Sequence, residues 1–222
     1  MGNKLAINGG QKTISDTDLS FIWPEITKST KKAVLQQLNE SISIYNQSGV
    51  IKRLEESLKK YHSIKHALLK NSGTSALHSM FVGEGFKEGD EVLVPAYTFY
   101  ATASPLFFTG ATPVLVDCDK NGNLDPGDIK NKITNKSKGI IITHMWGVPA
   151  QMDKISDIAK RNNLSLMEDG SHAHGATFNN QKVGTFGNSS AFSMQGQKTL
   201  TGGEGGFLLT NDDNVFYRAL LI

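Results

Sequence analysis

Four short stretches of this sequence carry residue types that could act together on one ligand. The first is Ser189–Gly206, S-S-A-F-S-M-Q-G-Q-K-T-L-T-G-G-E-G-G. It sets Lys198 between an apolar run and a glycine cluster, Gly202, Gly203, Gly205 and Gly206. A lysine in such a bend can anchor a carbonyl compound covalently once its amine is desolvated. Glycine would let the backbone take positive φ and approach the ligand closely. The second stretch is Ser72-Gly73-Thr74-Ser75, ahead of the amphipathic run Ala76, Leu77, Met80, Phe81. Free N–H groups and small hydroxyls at a helix N-terminus suit an anion, phosphate best. The third is Glu168-Asp169-Gly170-Ser171-His172. Two acids leaving a buried strand are costly unless a cation meets at least one of them. A pyridinium nitrogen is one such cation. A metal is another, but His172 and His174 have no further ligand cluster at metal spacing, so no metal is expected. The fourth is Tyr97-Thr98-Phe99-Tyr100, where Phe99 would stack on a flat ring or pack in the core.

Each stretch alone has a plainer reading: a surface lysine, a helix cap, a loop carboxylate, a core phenylalanine. Their placement decides between the two. From His66 onward short apolar runs recur at Ala67–Leu69, Glu91–Pro95, Pro113–Val116, Gly139–Thr143 and Leu164–Met167. Helix-like segments lie between them. Asp125-Pro126 reads as a capped helix start, and Met152, Ile155 and Ile158 give an amphipathic face. Strand–helix repeats of this length are βαβ units, which chain into a parallel sheet with helices on both faces. Two further strands, Ser190–Met194 and Gly206–Thr210, are joined by a link too short for a helical crossover, so one of them runs antiparallel. The expected fold is α/β, a mainly parallel sheet of about seven strands with one antiparallel strand. Ligands in such sheets sit beyond the carboxyl ends of the strands. All four stretches fall there.

Before the sheet, residues 1–25 read as an extended arm with a turn at Trp23-Pro24. Ile26–Ile44 carries Val34, Leu35, Leu38 and Ile42 at helical spacing, and Val50–Tyr61 carries Ile51, Leu54, Leu58 and Tyr61. Both are expected to be surface helices with one buried stripe. The 222 residues are 38% hydrophobic and 20% charged, enough to bury a core. A net charge of +2 gives no reason to expect nucleic acid or an anionic membrane as partner. Cys118 is the lone cysteine, which excludes an internal disulfide and fits a reducing, cytoplasmic setting. No signal-peptide core and no apolar run of membrane-spanning length is present.

A phosphate cradle, an acid, an aromatic and a lysine at one sheet edge are what pyridoxal 5'-phosphate requires. In order along the chain, S-G-T-S-A-L, P-A-Y-T-F-Y-A-T, E-D-G-S-H-A-H-G-A and F-S-M-Q-G-Q-K-T-L-T-G-G-E-G-G resemble the DegT/DnrJ-type sugar aminotransferases. These are pyridoxal-phosphate enzymes of fold type I. The wording is nearest to the branch that aminates keto-cyclitols such as scyllo-inosose. The resemblance implies that Lys198 bonds the cofactor aldehyde and Asp169 faces its ring nitrogen. It implies phosphate contacts from Gly73, Thr74, Ser75 and Ser193, Phe99 over the ring, and His172 near the ring hydroxyl. It leaves His144 and Trp146 between cofactor contact and core packing.

The implied reaction takes an amino group from glutamate or glutamine to a keto-sugar or keto-cyclitol, in a homodimer with shared active sites. Relatives continue well past Ile222 into a small C-terminal domain. Residues 26–222 are therefore expected to be the cofactor-binding large domain without that domain. Two alternatives follow: a non-catalytic cofactor-binding remnant, or half of a split enzyme. A sugar dehydratase on the same scaffold is disfavoured, because that branch replaces the lysine by histidine.

Overall fold

The computed structural model describes residues 4–14, 22–40 and 49–222. Nine strands are assigned among them: β1 (His66–Lys70), β2 (Glu91–Pro95), β3 (Thr112–Val116), β4 (Ser137–Thr143), β5 (Ser165–Asp169), β6 (Thr177–Phe178), β7 (Gln181–Lys182), β8 (Ser189–Ser193) and β9 (Gly206–Thr210). The helices are α1 (Lys28–Glu40), α2 (Gly49–His62), α3 (Gly73–Glu84), α4 (Pro126–Lys132), α5 (Met152–Arg161) and α6 (Asp213–Leu220). Seven strands form one sheet in the order β1-β9-β8-β5-β4-β2-β3. Only β9 runs against the rest, pairing antiparallel with both β1 and β8. This is the sheet the spacing of apolar runs predicts.

Period-two alternation along the strands feeds two opposite cores. Val92, Val94, Ile141, Met167, Ala191 and Leu208 face α3 and α6, where Leu77, Met80 and Phe81 are fully or nearly fully buried. Leu93, Ile140, Ile142 and Leu166 face the other way, onto Ile129 of α4 and Met152, Ile155 and Ile158 of α5. Strands buried on both faces read as continuous apolar runs, which is why β2 and β4 were legible from composition alone. Asp125 caps α4 as expected, its side chain accepting from the Gly127 N–H with Pro126 in the first turn.

Three expectations need correction. First, β5 does not stop at Met167. Its pairing continues through Glu168 and Asp169, and Asp169 sits opposite Thr143 on β4 and Ala191 on β8. The two acids therefore belong to the strand and point to opposite faces. Second, α1 buries no residue, and Val34, Leu35 and Leu38 are 56%, 62% and 56% exposed. Helical periodicity marks an apolar stripe but does not supply the surface that covers it. Ile42 lies outside the described residues, as do parts of the arm. By contrast α2 does bury Leu58, in a third core with Ala67, Phe192, Phe207 and Leu209. Third, β6 and β7 form a small hairpin that the apolar pattern did not announce. Its signal was Asn179-Asn180, both at positive φ, as a two-residue primed turn requires.

Candidate active site

A cleft of about 620 Å³ opens beyond the carboxyl ends of the strands, an ordinary size for a small-molecule site. The N-terminus of α3 forms one wall. Ser72 caps this helix: its Oγ accepts from the Ser75 N–H at 3.0 Å, and its carbonyl accepts from the Ala76 N–H at 3.0 Å. The N–H groups of Gly73 and Thr74, both on the cleft wall, have no acceptor within the helix. Ser193, at the end of β8, lies against them. A Cβ on Gly73 would stand 2.6 Å from the Ser193 Cβ, so helix and strand meet there only because position 73 has no side chain. Ser75 does not line the cleft. Its hydroxyl donates to Asn71 Oδ1 at 2.6 Å and belongs to the cap.

The register of β5 separates the two acids. Glu168 is fully buried on the face away from the cleft. It accepts from the N–H groups of Gly184, Phe186 and Gly187 at 2.7, 2.7 and 2.8 Å. His144 completes its shell at 3.1 Å. The His144 Nδ1 accepts from the Ala150 N–H at 3.1 Å, so the ring proton sits on Nε2 and is donated to Glu168. His144 is thus core structure and does not reach the cleft. Asp169, on the other face, lines the cleft at 4% exposure. Its Oδ1 accepts from the Ser171 N–H at 3.1 Å and its Oδ2 from Thr102 Oγ1 at 2.7 Å. A carboxylate has about four acceptor positions, so Asp169 retains capacity for a donor in the cleft.

Lys198 lies on the loop between β8 and β9. Met194 N–H to the Gly205 carbonyl, 2.8 Å, and Gly202 N–H to the Met194 carbonyl, 3.0 Å, close that loop. Burial holds the Lys198 amine below the ordinary lysine range, and the opposing charge of Asp169 recovers part of the shift. His172 is half-buried and stacks on Trp146, with centroids 5.4 Å apart. Burial, then the charge of Lys198, push its pKa down, while Asp169 acts in the opposite sense. Its Nδ1 is buried with no hydrogen-bond partner among the described residues. Phe99 and Trp146 stand 58% and 71% exposed on the cleft lining. Gly203 and Gly205 take positive φ as expected, but none of the four glycines of the cluster lines the cleft. A Cβ on Gly206 would meet the Ser72 carbonyl oxygen at 2.4 Å, so this glycine admits another segment of chain, not a ligand.

The residues present fit pyridoxal phosphate. Two unpaired N–H groups at a helix N-terminus suit its phosphate. The spare acceptor on Asp169 suits a protonated ring nitrogen, and the orphaned His172 Nδ1 suits a polar ring substituent. The partly desolvated Lys198 suits its aldehyde.

The sequence profile of the DegT/DnrJ/EryC1/StrS aminotransferase family matches residues 24–222. The chain belongs to this family. It is 41% identical over 205 residues to GDP-perosamine synthase of Caulobacter vibrioides, covering 92% of this chain and 55% of that protein. It is 33% identical over 225 residues to L-glutamine:2-deoxy-scyllo-inosose aminotransferase of Micromonospora echinospora, covering 97% and 52%. Among solved structures it matches the aminotransferase from Psychrobacter cryohalolentis with a TM-score of 0.85 at 35% identity, over 90% of this chain and 51% of that one. It also matches NtdA of Bacillus subtilis, solved with bound cofactor PMP, with a TM-score of 0.79 at 25% identity, over 87% and 44%. The chain spans about half the length of the curated relatives it matches.

Of the site residues read from the sequence of this DegT/DnrJ-family chain, Gly73, Thr74, Phe99, Asp169, His172, Ser193 and Lys198 meet on one cleft, and Ser75 stands just behind it. Sequence reasoning missed Thr102, a buried residue that holds Asp169, and the polar lining residues Gln195, Gln197 and Glu204. Nothing in the spacing singles out one threonine among several. Gln195 and Gln197 alternate along the Lys198 loop, which was the available signal.

Proposed function

We propose that this chain carries the cofactor site of a pyridoxal-phosphate-dependent aminotransferase, which moves an amino group from glutamate or glutamine to a keto-sugar or keto-cyclitol. The observation that carries the reading is the meeting of Lys198 and Asp169 on one cleft, with the free end of α3 beside them. Bound pyridoxal phosphate would supply an aldehyde to accept the amino group and a protonated ring to draw electrons from the substrate carbon. The N–H groups of Gly73 and Thr74, with Ser193, hold phosphate. Asp169 keeps the ring nitrogen protonated, and Phe99 and His172 confine the ring. The lowered pKa of Lys198 enlarges its neutral, nucleophilic fraction at working pH. Its Nζ then takes the proton from the donor α-carbon and returns one to the acceptor carbon in the second half-reaction.

The acceptor class rests on the relatives, one named for a GDP-linked sugar and one for a scyllo-inosose. We place the enzyme in the cytoplasm as a homodimer. Exposed Tyr100, Phe107 and Phe108 offer apolar surface for a partner copy. Residues 26–222 form the cofactor-binding domain, and a smaller domain completes the acceptor site. Purification with pyridoxal phosphate, followed by an absorption spectrum and borohydride reduction, tests the reading. A visible band is expected, absent from Lys198→Ala and lost on borohydride reduction, which fixes the cofactor onto Lys198. A colourless protein, or label on another lysine, overturns it.

A further inference from the structure

Thr102 takes no part in the scheme above, yet it is the most specific contact Asp169 makes. It is 1% exposed, sits in the short turn Tyr100–Thr102, and donates to Asp169 Oδ2 at 2.7 Å. Two further hydroxyls close on it. Thr98 Oγ1 lies 2.8 Å from Thr102 Oγ1 and 3.0 Å from Thr143 Oγ1, and Thr143 Oγ1 lies 3.4 Å from Thr102 Oγ1. The three threonines come from three places: the loop after β2, the turn that follows it, and the last residue of β4. The last of these is opposite Asp169 in the sheet register.

The direction of these bonds follows from counting protons. An ionised carboxylate only accepts, and a hydroxyl has one proton to give. Thr102 gives its proton to Asp169 and so accepts from Thr98, and Thr98, its own proton spent, accepts from Thr143. The chain points one way, from the cleft wall to the carboxylate. A carboxylate torsion is otherwise broad and roughly two-fold. With Ser171 N–H on one oxygen and Thr102 on the other, both oxygens are pinned. We infer that Thr102, oriented by Thr98 and Thr143, is a positioning residue that fixes the rotation of Asp169 so that its free acceptor position meets the ring nitrogen of the cofactor.

This inference rests on the proposed cofactor site, and the test separates the two. The probes are pyridoxal phosphate and its 1-deaza analogue, in which the ring nitrogen is replaced by CH. Binding is titrated by absorbance to wild type, Thr102→Val and Thr102→Ser. The wild type is expected to bind pyridoxal phosphate. Thr102→Val is expected to bind it about ten-fold more weakly, the scale of one hydrogen bond to a charged group. Thr102→Ser, which keeps the donor, should stay within about two-fold of wild type, since only a methyl is lost. For the deaza analogue, which offers Asp169 no N–H, wild type and Thr102→Val should bind alike. Should Thr102→Val not fold, Thr102→Ala removes the same donor and carries the same comparison. Equal loss for both probes would reduce Thr102 to a packing role and overturn the inference. So would an unchanged affinity for pyridoxal phosphate. A wild type that binds no pyridoxal phosphate overturns the proposed function, and this inference with it.

Discussion

Gly73→Ala puts the closest contact of the site under strain. Helix propensity alone favours alanine over glycine by roughly 1 kcal/mol in a helix interior. Position 73 has no need of positive φ, so the backbone would accept a side chain. Packing opposes it. The new Cβ would lie 2.6 Å from Ser193 Cβ, 3.0 Å from Ser193 Cα and 3.1 Å from Ser193 Oγ. Ordinary contact begins at 3.4 Å, so helix and strand must part by about 0.8 Å to restore it. No rotamer change can supply this, because the obstacle is the base of a side chain on a strand paired to β9. Overpacking of this kind costs about 1–3 kcal/mol, which outweighs the propensity gain. The same displacement carries the Gly73 and Thr74 N–H groups away from the position proposed for the phosphate. A hydrogen bond lengthened by that amount from its usual ~2.9 Å is lost, and a bond to a charged group is worth about 1.5–3 kcal/mol. Two readouts should therefore fall together: the urea midpoint of the ligand-free protein, and affinity for pyridoxal phosphate by at least about ten-fold. A variant as stable as wild type, with unchanged affinity, refutes the steric account of position 73.

Other substitutions separate scaffold from site. His62 is 6% exposed among Tyr61, Phe192 and Phe207, and burial lowers its pKa from 6.5 to about 4, with Lys182 and His174 adding to the shift and Glu168 opposing it. The unfolded chain binds the proton first as pH falls, so native stability is lost between these two values. Linkage gives about 2 kcal/mol between pH 7 and pH 5. Urea melts at the two pH values should show that difference shrinking in His62→Phe, and an unchanged difference would remove His62 from the account. Glu168→Gln turns an amide NH₂ toward a shell made entirely of donors and should cost about 3 kcal/mol. The fraction that remains folded should still give the Lys198 band; its loss would mean that Glu168 serves the cleft.

The sheet was legible because its central strands are buried on both faces, so apolar runs and their spacing report it directly. The cleft was legible for a related reason: ligand sites in this architecture collect at strand ends, and the strand ends can be counted. What stayed hidden depends on the partner of a residue, which its type does not reveal. Ser75 has the residue type of a phosphate ligand, but Asn71 takes its hydroxyl. Gly206 has the type for ligand approach, but the Ser72 backbone occupies the space. The stripe of α1 has the period of a buried face, but none of its residues is buried.

The pair Glu168-Asp169 shows how a sheet can assign function to neighbours of the same charge. Strand parity sends the two carboxylates to opposite faces. On one face, three loop N–H groups and His144 surround Glu168, so the protein itself neutralises the cost of burying it. On the other face two donors among the described residues, Ser171 N–H and Thr102, reach Asp169, and they leave acceptor capacity turned toward a cleft that also holds a lysine. A buried anion with an incomplete shell is stable only if something outside the chain completes it or the nearby amine offsets it. Lys198 shares that cleft, and the charge of Asp169 recovers part of what burial takes from its amine. A ligand bonded to that amine removes this compensation unless it brings a positive charge of its own to Asp169, and a protonated pyridine ring does so.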